Sequence, residues 1–164
     1  MRNRQTFRVP IIREFLKKYS VGKNWADPFC GQSTICEFRN DLDPDNIFAT
    51  HHLEAVDFLD SISKQHGEGF RLDGVVFDPP YSLSAVSMFY KGIGLKFKGK
   101  ENPTGGFPIA KDIISRLVKP SGIVISFGWN SNGMGKKRGF NIIEILLLAH
   151  GGNANDTIIT VEQK

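Results

Sequence analysis

The run Leu72-Asp73-Gly74-Val75-Val76-Phe77 stops at Asp78-Pro79-Pro80-Tyr81, and no other junction constrains the fold as strongly. A nearly unbroken apolar run suits a strand covered on both faces, and such strands belong to parallel sheets flanked by helices. Proline has no amide hydrogen to give a ladder, so two in succession end the pairing and leave Asp78 at the strand's carboxyl end. In open α/β sheets that end is where ligands bind.

The rest of the chain fits the same architecture. Phe7, Ile11, Ile12, Phe15, Leu16 and Tyr19 recur at helical spacing, and Pro10 sets the start of a helix running to Tyr19. Asn24 to Phe29 reads as a strand, Ser33 to Phe38 as at most one short helical turn, Glu37 to Asp41 as a second strand and Asn46 to His52 as a third. Helices are expected over Glu54 to Gln65, Ser82 to Tyr90 and Pro108 to Val118, the last stopped by Lys119-Pro120-Ser121-Gly122. Ile123 to Phe127 is a further strand, Lys91 to Phe107 a Gly- and Lys-rich loop, and Phe140 to His150 with Asp156 to Glu162 a terminal hairpin. Strands alternating with helices and closing on a hairpin define an α/β chain: a Rossmann-like, mostly parallel sheet with helices on both faces and an antiparallel end.

Composition narrows the class. A chain of 164 residues, 40% hydrophobic and 23% charged, is expected to form one domain and is too apolar for a disordered segment. No apolar run approaches the ~18 residues of a membrane span. Met1-Arg2-Asn3-Arg4 leads into no apolar core, so no secretory leader is expected, and a cytoplasmic location is the expectation. Two cysteines, Cys30 and Cys36, are too few for a disulfide framework or a four-thiolate metal site. Adjacent residues of a strand face opposite ways, so His51 and His52 make a poor metal pair, and no metal is expected. The charge is uneven. Residues 1–23 carry seven Lys and Arg against one acid, residues 24–90 three against eleven, and residues 91–164 eleven against five. An acidic middle between basic ends suits an amine-bearing ligand beside a phosphate-bearing one, or else scattered solvated charge.

A second segment, Asp27-Pro28-Phe29-Cys30-Gly31-Gln32-Ser33-Thr34, also sets a carboxylate and a sharp turn just past a strand. With Asp78-Pro79-Pro80-Tyr81 it makes the chain resemble class I S-adenosylmethionine-dependent methyltransferases that act on the adenine amino group of DNA. The first segment resembles their Asp-Pro-Phe-x-Gly-x-Gly-Thr cofactor loop, with Ser33 where the family has its second glycine. The other matches their catalytic motif. Asn40-Asp41-Leu42-Asp43-Pro44 and Ser126-Phe127-Gly128-Trp129-Asn130-Ser131-Asn132-Gly133 are similar to phage and prophage members, a resemblance that implies a restriction-modification setting. The likeness extends from Phe7 to Val161.

The resemblance implies a seven-stranded sheet, S-adenosylmethionine as cofactor and DNA as partner. A single methyltransferase domain over residues 1–164 would carry no separate target-recognition domain. Sequence selectivity would then be low, or come from a recognition subunit or a second copy in a homodimer. Asp78 and the Pro79 carbonyl would orient the amine, Pro80 would stiffen the turn, and Tyr81 would stack on the flipped base. Asp27, Pro28, Phe29, Cys30 and Gly31 would form the cofactor loop, Asp41 (with Asp43 second) would take the ribose, and Glu54 and Ala55 the cofactor's adenine. Several assignments stay open. Glu54 is equally an acid favoured by a helix start. Phe7 covers the cofactor or staples the core, and Trp129 with Asn130 lines the substrate mouth or caps the core. Lys96, Lys98 and Lys100, with Lys136-Lys137-Arg138, form a phosphate clamp or solvated loops. The rival functions are methylation of an RNA or protein amine and a catalytically silent cofactor- or DNA-binding module.

Overall fold

A computed structural model describes residues 9–97, 107–150 and 155–164. Its helices are α1 (Pro10–Lys18), α2 (Ala55–His66), α3 (Leu83–Gly92) and α4 (Pro108–Leu117). Its strands are β1 (Trp25–Asp27), β2 (Phe38–Arg39), β3 (Leu72–Phe77), β4 (Val118–Gly128), β5 (Asn141–Leu148) and β6 (Thr157–Gln163). They form one sheet in the order β2-β1-β3-β4-β6-β5. The first four run parallel and β6 is antiparallel to both β4 and β5, so the closing hairpin supplies the antiparallel end.

The sheet has two packed faces. On one, Ala26, Val75, Phe77 and Val124 meet α2 through Val56, Phe58, Leu59 and Ile62, and α4 through Ala110, Ile113, Ile114 and Leu117. On the other, Trp25, Val76, Ile125, Phe127, Ile159 and Val161 meet Ile12 and Leu16 of α1. Each fully buried Leu, Ile or Phe is worth about 1.5–3 kcal/mol relative to exposure, so this two-sided burial dominates the stability of the fold. The edge strand β5 is covered on one side only: Leu146 and Leu148 pack toward α1, while Ile145 and Leu147 are half exposed or more. Lys18 and Tyr19 both reach Glu144 and tie the end of α1 to that strand.

Two expectations are corrected. Among the described residues the sheet has six strands rather than seven, because Asn46 to His52 forms no strand and contributes only the bridge from His51 to Asn40. The acidic and amide side chains before and within it explain why. Asp41, Asp43 and Asn46 each accept from the backbone N–H two residues ahead, and these local bonds draw the chain into turns. Arg39 completes the distortion by donating Nε–H to the Phe48 carbonyl. The second correction is that β4 begins at Val118 and not Ile123. Helix α4 stops where the proline predicts, but Leu72 pairs with Val118 and Gly74 with Ile123, so residues 119–122 bulge out of a strand that is already paired. The link from β1 to β2 contains no helix.

Candidate functional site

Because β2, β1, β3 and β4 are parallel, their carboxyl ends share one edge of the sheet. Asp27 ends β1, Asp41 lies two residues past β2, Asp78 follows β3 and Trp129 follows β4. The strand β1 sits between β2 and β3, with Ala26 opposite Val75, so the Asp27 loop and the Asp78 turn leave neighbouring strands in the same direction.

The loop after β1 is held by its own backbone groups. Asp27 is fully buried, and its Oδ1 accepts from the Phe29 N–H at 3.0 Å, which turns the chain at Pro28. The first carboxylate of the expected cofactor loop is therefore enclosed by protein here. Phe29 stands edge-on to Phe77 and Phe107, at 5.7 and 5.4 Å between ring centroids. Gly31 has φ of 54°, in the left-handed region that a side chain disfavours. Its N–H donates to Asp41 Oδ2 at 3.1 Å and its carbonyl accepts from Asn46 Nδ2 at 2.6 Å. Asp41 is thus joined to Gly31, ten residues earlier, and its other oxygen accepts from the Asp43 N–H. Cys30 and Cys36 are buried; desolvation, and next the Asp27 carboxylate, push the Cys36 thiol well above its ordinary range.

Asn40, only 1% exposed, joins this loop to the next segment. Its Nδ2 donates to the Pro28 and Leu53 carbonyls, and its Oδ1 accepts from the Leu53 N–H. Leu53 precedes Glu54, the residue before α2, and Ala55, the buried first residue of that helix. Glu54 makes no side-chain cap to α2. Both its carboxylate oxygens instead face the Tyr90 hydroxyl of α3, at 2.7 and 2.6 Å.

At the end of β3, Asp78 is 7% exposed and Pro79, Pro80 and Tyr81 are half buried. The Tyr81 hydroxyl donates to Asp78 Oδ1 at 2.5 Å, and its ring meets Trp129 at 5.6 Å, edge to face. Ser82 then caps α3 by accepting from the Ala85 N–H. The loop carrying Trp129 is anchored from β6. Glu162, 1% exposed, accepts from the N–H groups of Met134 at 2.5 Å and Gly135 at 2.9 Å.

The structure therefore gathers Asp27, Pro28, Phe29, Cys30, Gly31, Asp41, Glu54, Ala55 and Asp78 to Tyr81 along one edge. Phe7, Lys98 and Lys100 lie outside the described residues. Arg138 is engaged with Asp112 Oδ1 at 2.6 Å, whereas Lys136 and Lys137 are exposed. Sequence reading did not single out Asn40, Asn46, Tyr90 or Glu162 as site residues. The one signal the sequence carries is the place of Asn40 beside Asp41 at the end of an expected strand. Among the described residues no helix is long and apolar enough to cross a membrane.

No protein-family model matches this chain, and neither does any curated protein sequence. Solved structures do. The N-methyltransferase NodS from Bradyrhizobium japonicum WM9 superposes with a TM-score of 0.53 at 10% identity, covering 96% of this chain and 98% of NodS. Its complex with S-adenosyl-L-homocysteine gives a TM-score of 0.51 at 12% identity, over 94% of this chain and 88% of that one. TrmN from Thermus thermophilus gives 0.55 at 16% identity and covers 98% of this chain, which spans only 51% of TrmN. The chain has the α/β fold that these methyltransferases share.

Proposed function

We propose that this chain transfers a methyl group from S-adenosylmethionine to the exocyclic amine of adenine in DNA. The observation that carries the reading is the pairing of β1 with β3, which sends the Asp27–Gly31 loop and the Asp78–Tyr81 turn off the same edge from adjacent strands. The fold shared with methyltransferases, one of them holding S-adenosyl-L-homocysteine, supports it.

The residues fit the cofactor. Gly31, gripped by Asp41 and Asn46, offers a backbone without a Cβ for close approach, and Glu54 offers a carboxylate to an amine or hydroxyl. Asp27, Pro28, Phe29 and Cys30 shape that loop, and Ala55 starts the next helix beside it. When bound, S-adenosylmethionine supplies an electrophilic methyl on a sulfonium. The protein's task is to ready the amine, whose lone pair is delocalised into the base. Asp78 and the Pro79 carbonyl each accept one amine hydrogen, which draws the lone pair out of conjugation. Pro80 keeps the turn rigid so that the acceptors are preorganised. Tyr81 leaves Asp78 and stacks on a base taken out of the helix, a step that costs a few kcal/mol. DNA is the partner, with sequence selectivity left to a recognition subunit or a second copy.

The test is transfer of labelled methyl to duplex DNA, single-stranded DNA and RNA, with Asp78→Ala as control. N6-methyladenine should form in DNA, and Asp78→Ala should lower the rate about 100- to 1,000-fold. Label confined to RNA or protein, or a rate indifferent to Asp78, refutes the assignment.

A further inference from the structure

Tyr90 lies nine residues past Tyr81, on the helix that begins directly behind the Asp78–Tyr81 turn. It is 8% exposed, and its hydroxyl meets Glu54, 36 residues away in sequence. A single phenolic hydrogen lies between two carboxylate oxygens at 2.7 and 2.6 Å. An ionised carboxylate has about four acceptor positions, so a bond from one donor leaves others for a ligand. The bond settles where the carboxylate points. Burial, and next the hydrogen bond to Glu54, push the Tyr90 hydroxyl far above its ordinary range, so it remains a donor throughout the physiological span. The ring is fixed as well: Phe97 stands edge-on to it at 5.1 Å, and the Tyr90 carbonyl accepts from the Leu95 N–H.

From this geometry we infer that Tyr90 is a positioning residue for the cofactor's nucleoside, holding Glu54 in its accepting orientation and joining it through α3 to the catalytic turn. The inference rests on the proposed methyltransferase reading and adds a residue that neither motif contains. Glu54 has no cap to make, because α2 starts without one. Its carboxylate would otherwise sweep several rotamers, and ordering a long acidic side chain on binding costs affinity.

The experiment is calorimetric titration of the full chain with S-adenosylhomocysteine and with 5′-deoxy-5′-methylthioadenosine, which keeps the nucleoside and lacks the amino acid. The variants are Tyr90→Phe, Glu54→Gln and the double variant, each checked for an unchanged melting transition. A hydrogen bond to a charged group corresponds to roughly ten-fold in binding or somewhat more. Tyr90→Phe should therefore weaken both ligands by about ten-fold, and by the same factor, since the effect lies at the nucleoside. The double variant should bind within about two-fold of Glu54→Gln alone, because Tyr90 acts through Glu54. Two results overturn the inference while leaving the proposed function in place. One is wild-type affinity in Tyr90→Phe, and the other is losses that multiply in the double variant. Failure of the wild-type chain to bind either ligand overturns the proposed function and this inference with it.

Discussion

The Tyr81 hydroxyl donates to Asp78 Oδ1 at 2.5 Å, so the two groups proposed to meet the target base on its face and at its amine are joined to each other. Only one of them has to move when a base arrives. Replacing Tyr81 by Phe removes the bond but keeps the stacking ring, whereas Ala removes both. Stacking of a base on an aromatic side chain is worth about 1–3 kcal/mol. Tyr81→Ala should therefore raise the KM for DNA about 5- to 100-fold, and Tyr81→Phe should change it far less. Steady-state methylation of a DNA substrate series measures both, and equal losses in the two variants would place Tyr81 outside base stacking.

Asp41 is the ribose candidate that the resemblance implies, and its oxygens accept from the Gly31 and Asp43 N–H groups, each at 3.1 Å. At 3% exposure, truncation leaves both donors short of a partner. Each unsatisfied buried group costs about 1–3 kcal/mol. Asp41→Ala should therefore lose about 2–5 kcal/mol of stability in urea denaturation, well beyond a loss of ligand affinity alone. An unchanged unfolding midpoint with weakened cofactor binding would return Asp41 to a purely ligand-binding role.

What the sequence makes legible is what short-range patterning controls. The strand Leu72 to Phe77 and the helix starting at Pro108 fall where apolar period and proline place them, because a strand between two helical layers tolerates little else. The Asn46 to His52 stretch misleads, because β-forming side chains there are outcompeted by asparagine and aspartate bonding their own backbone. The site divides in the same way. Asp27, Gly31 and Asp78 stand in recognisable local strings. Tyr90 with Glu54 and Glu162 with Met134 meet across 36 and 28 residues, and no periodicity carries such pairings.

Gly133 shows how tightly that last pairing is built. Its φ is 46°, and a Cβ there would lie 2.1 Å from Glu162 Oε2. Any side chain must displace the carboxylate from the Met134 and Gly135 N–H groups. Gly133→Ala should lower stability by about 2–4 kcal/mol, the sum of left-handed strain and unpaired buried groups. It should also shift the fluorescence of Trp129, which sits on the same loop. Near-native stability would show that the loop is not anchored by Glu162.

Stability should also depend on His51. Burial, chiefly, lowers its pKa from 6.5, and its ring packs on Phe58 at 5.2 Å. The folded chain therefore holds that proton less tightly than the unfolded one. The contribution is complete above pH 6.5 and declines as pH falls below it, until the lowered folded pKa is reached. Urea midpoints at about pH 8 and about pH 5 should differ more for the wild type than for His51→Gln. Equal differences in the two proteins would exclude His51 as the source.

The basic run Lys136-Lys137-Arg138 divides by its contacts. Arg138 donates to Asp112 Oδ1 at 2.6 Å and to the Met134 carbonyl at 3.1 Å, so it serves the fold, while Lys136 and Lys137 stand exposed beside the Trp129 loop. Each phosphate neutralised contributes about 0.9 to the slope of log affinity against log salt. If both lysines meet DNA phosphates, replacing them with Gln should reduce that slope by about 2 units and weaken all sequences alike. Arg138→Gln should instead lower the melting temperature and leave the slope nearly intact. Fluorescence anisotropy of a labelled duplex over a salt series reads the slopes, and an unchanged slope in the double lysine variant would remove this loop from the DNA contact.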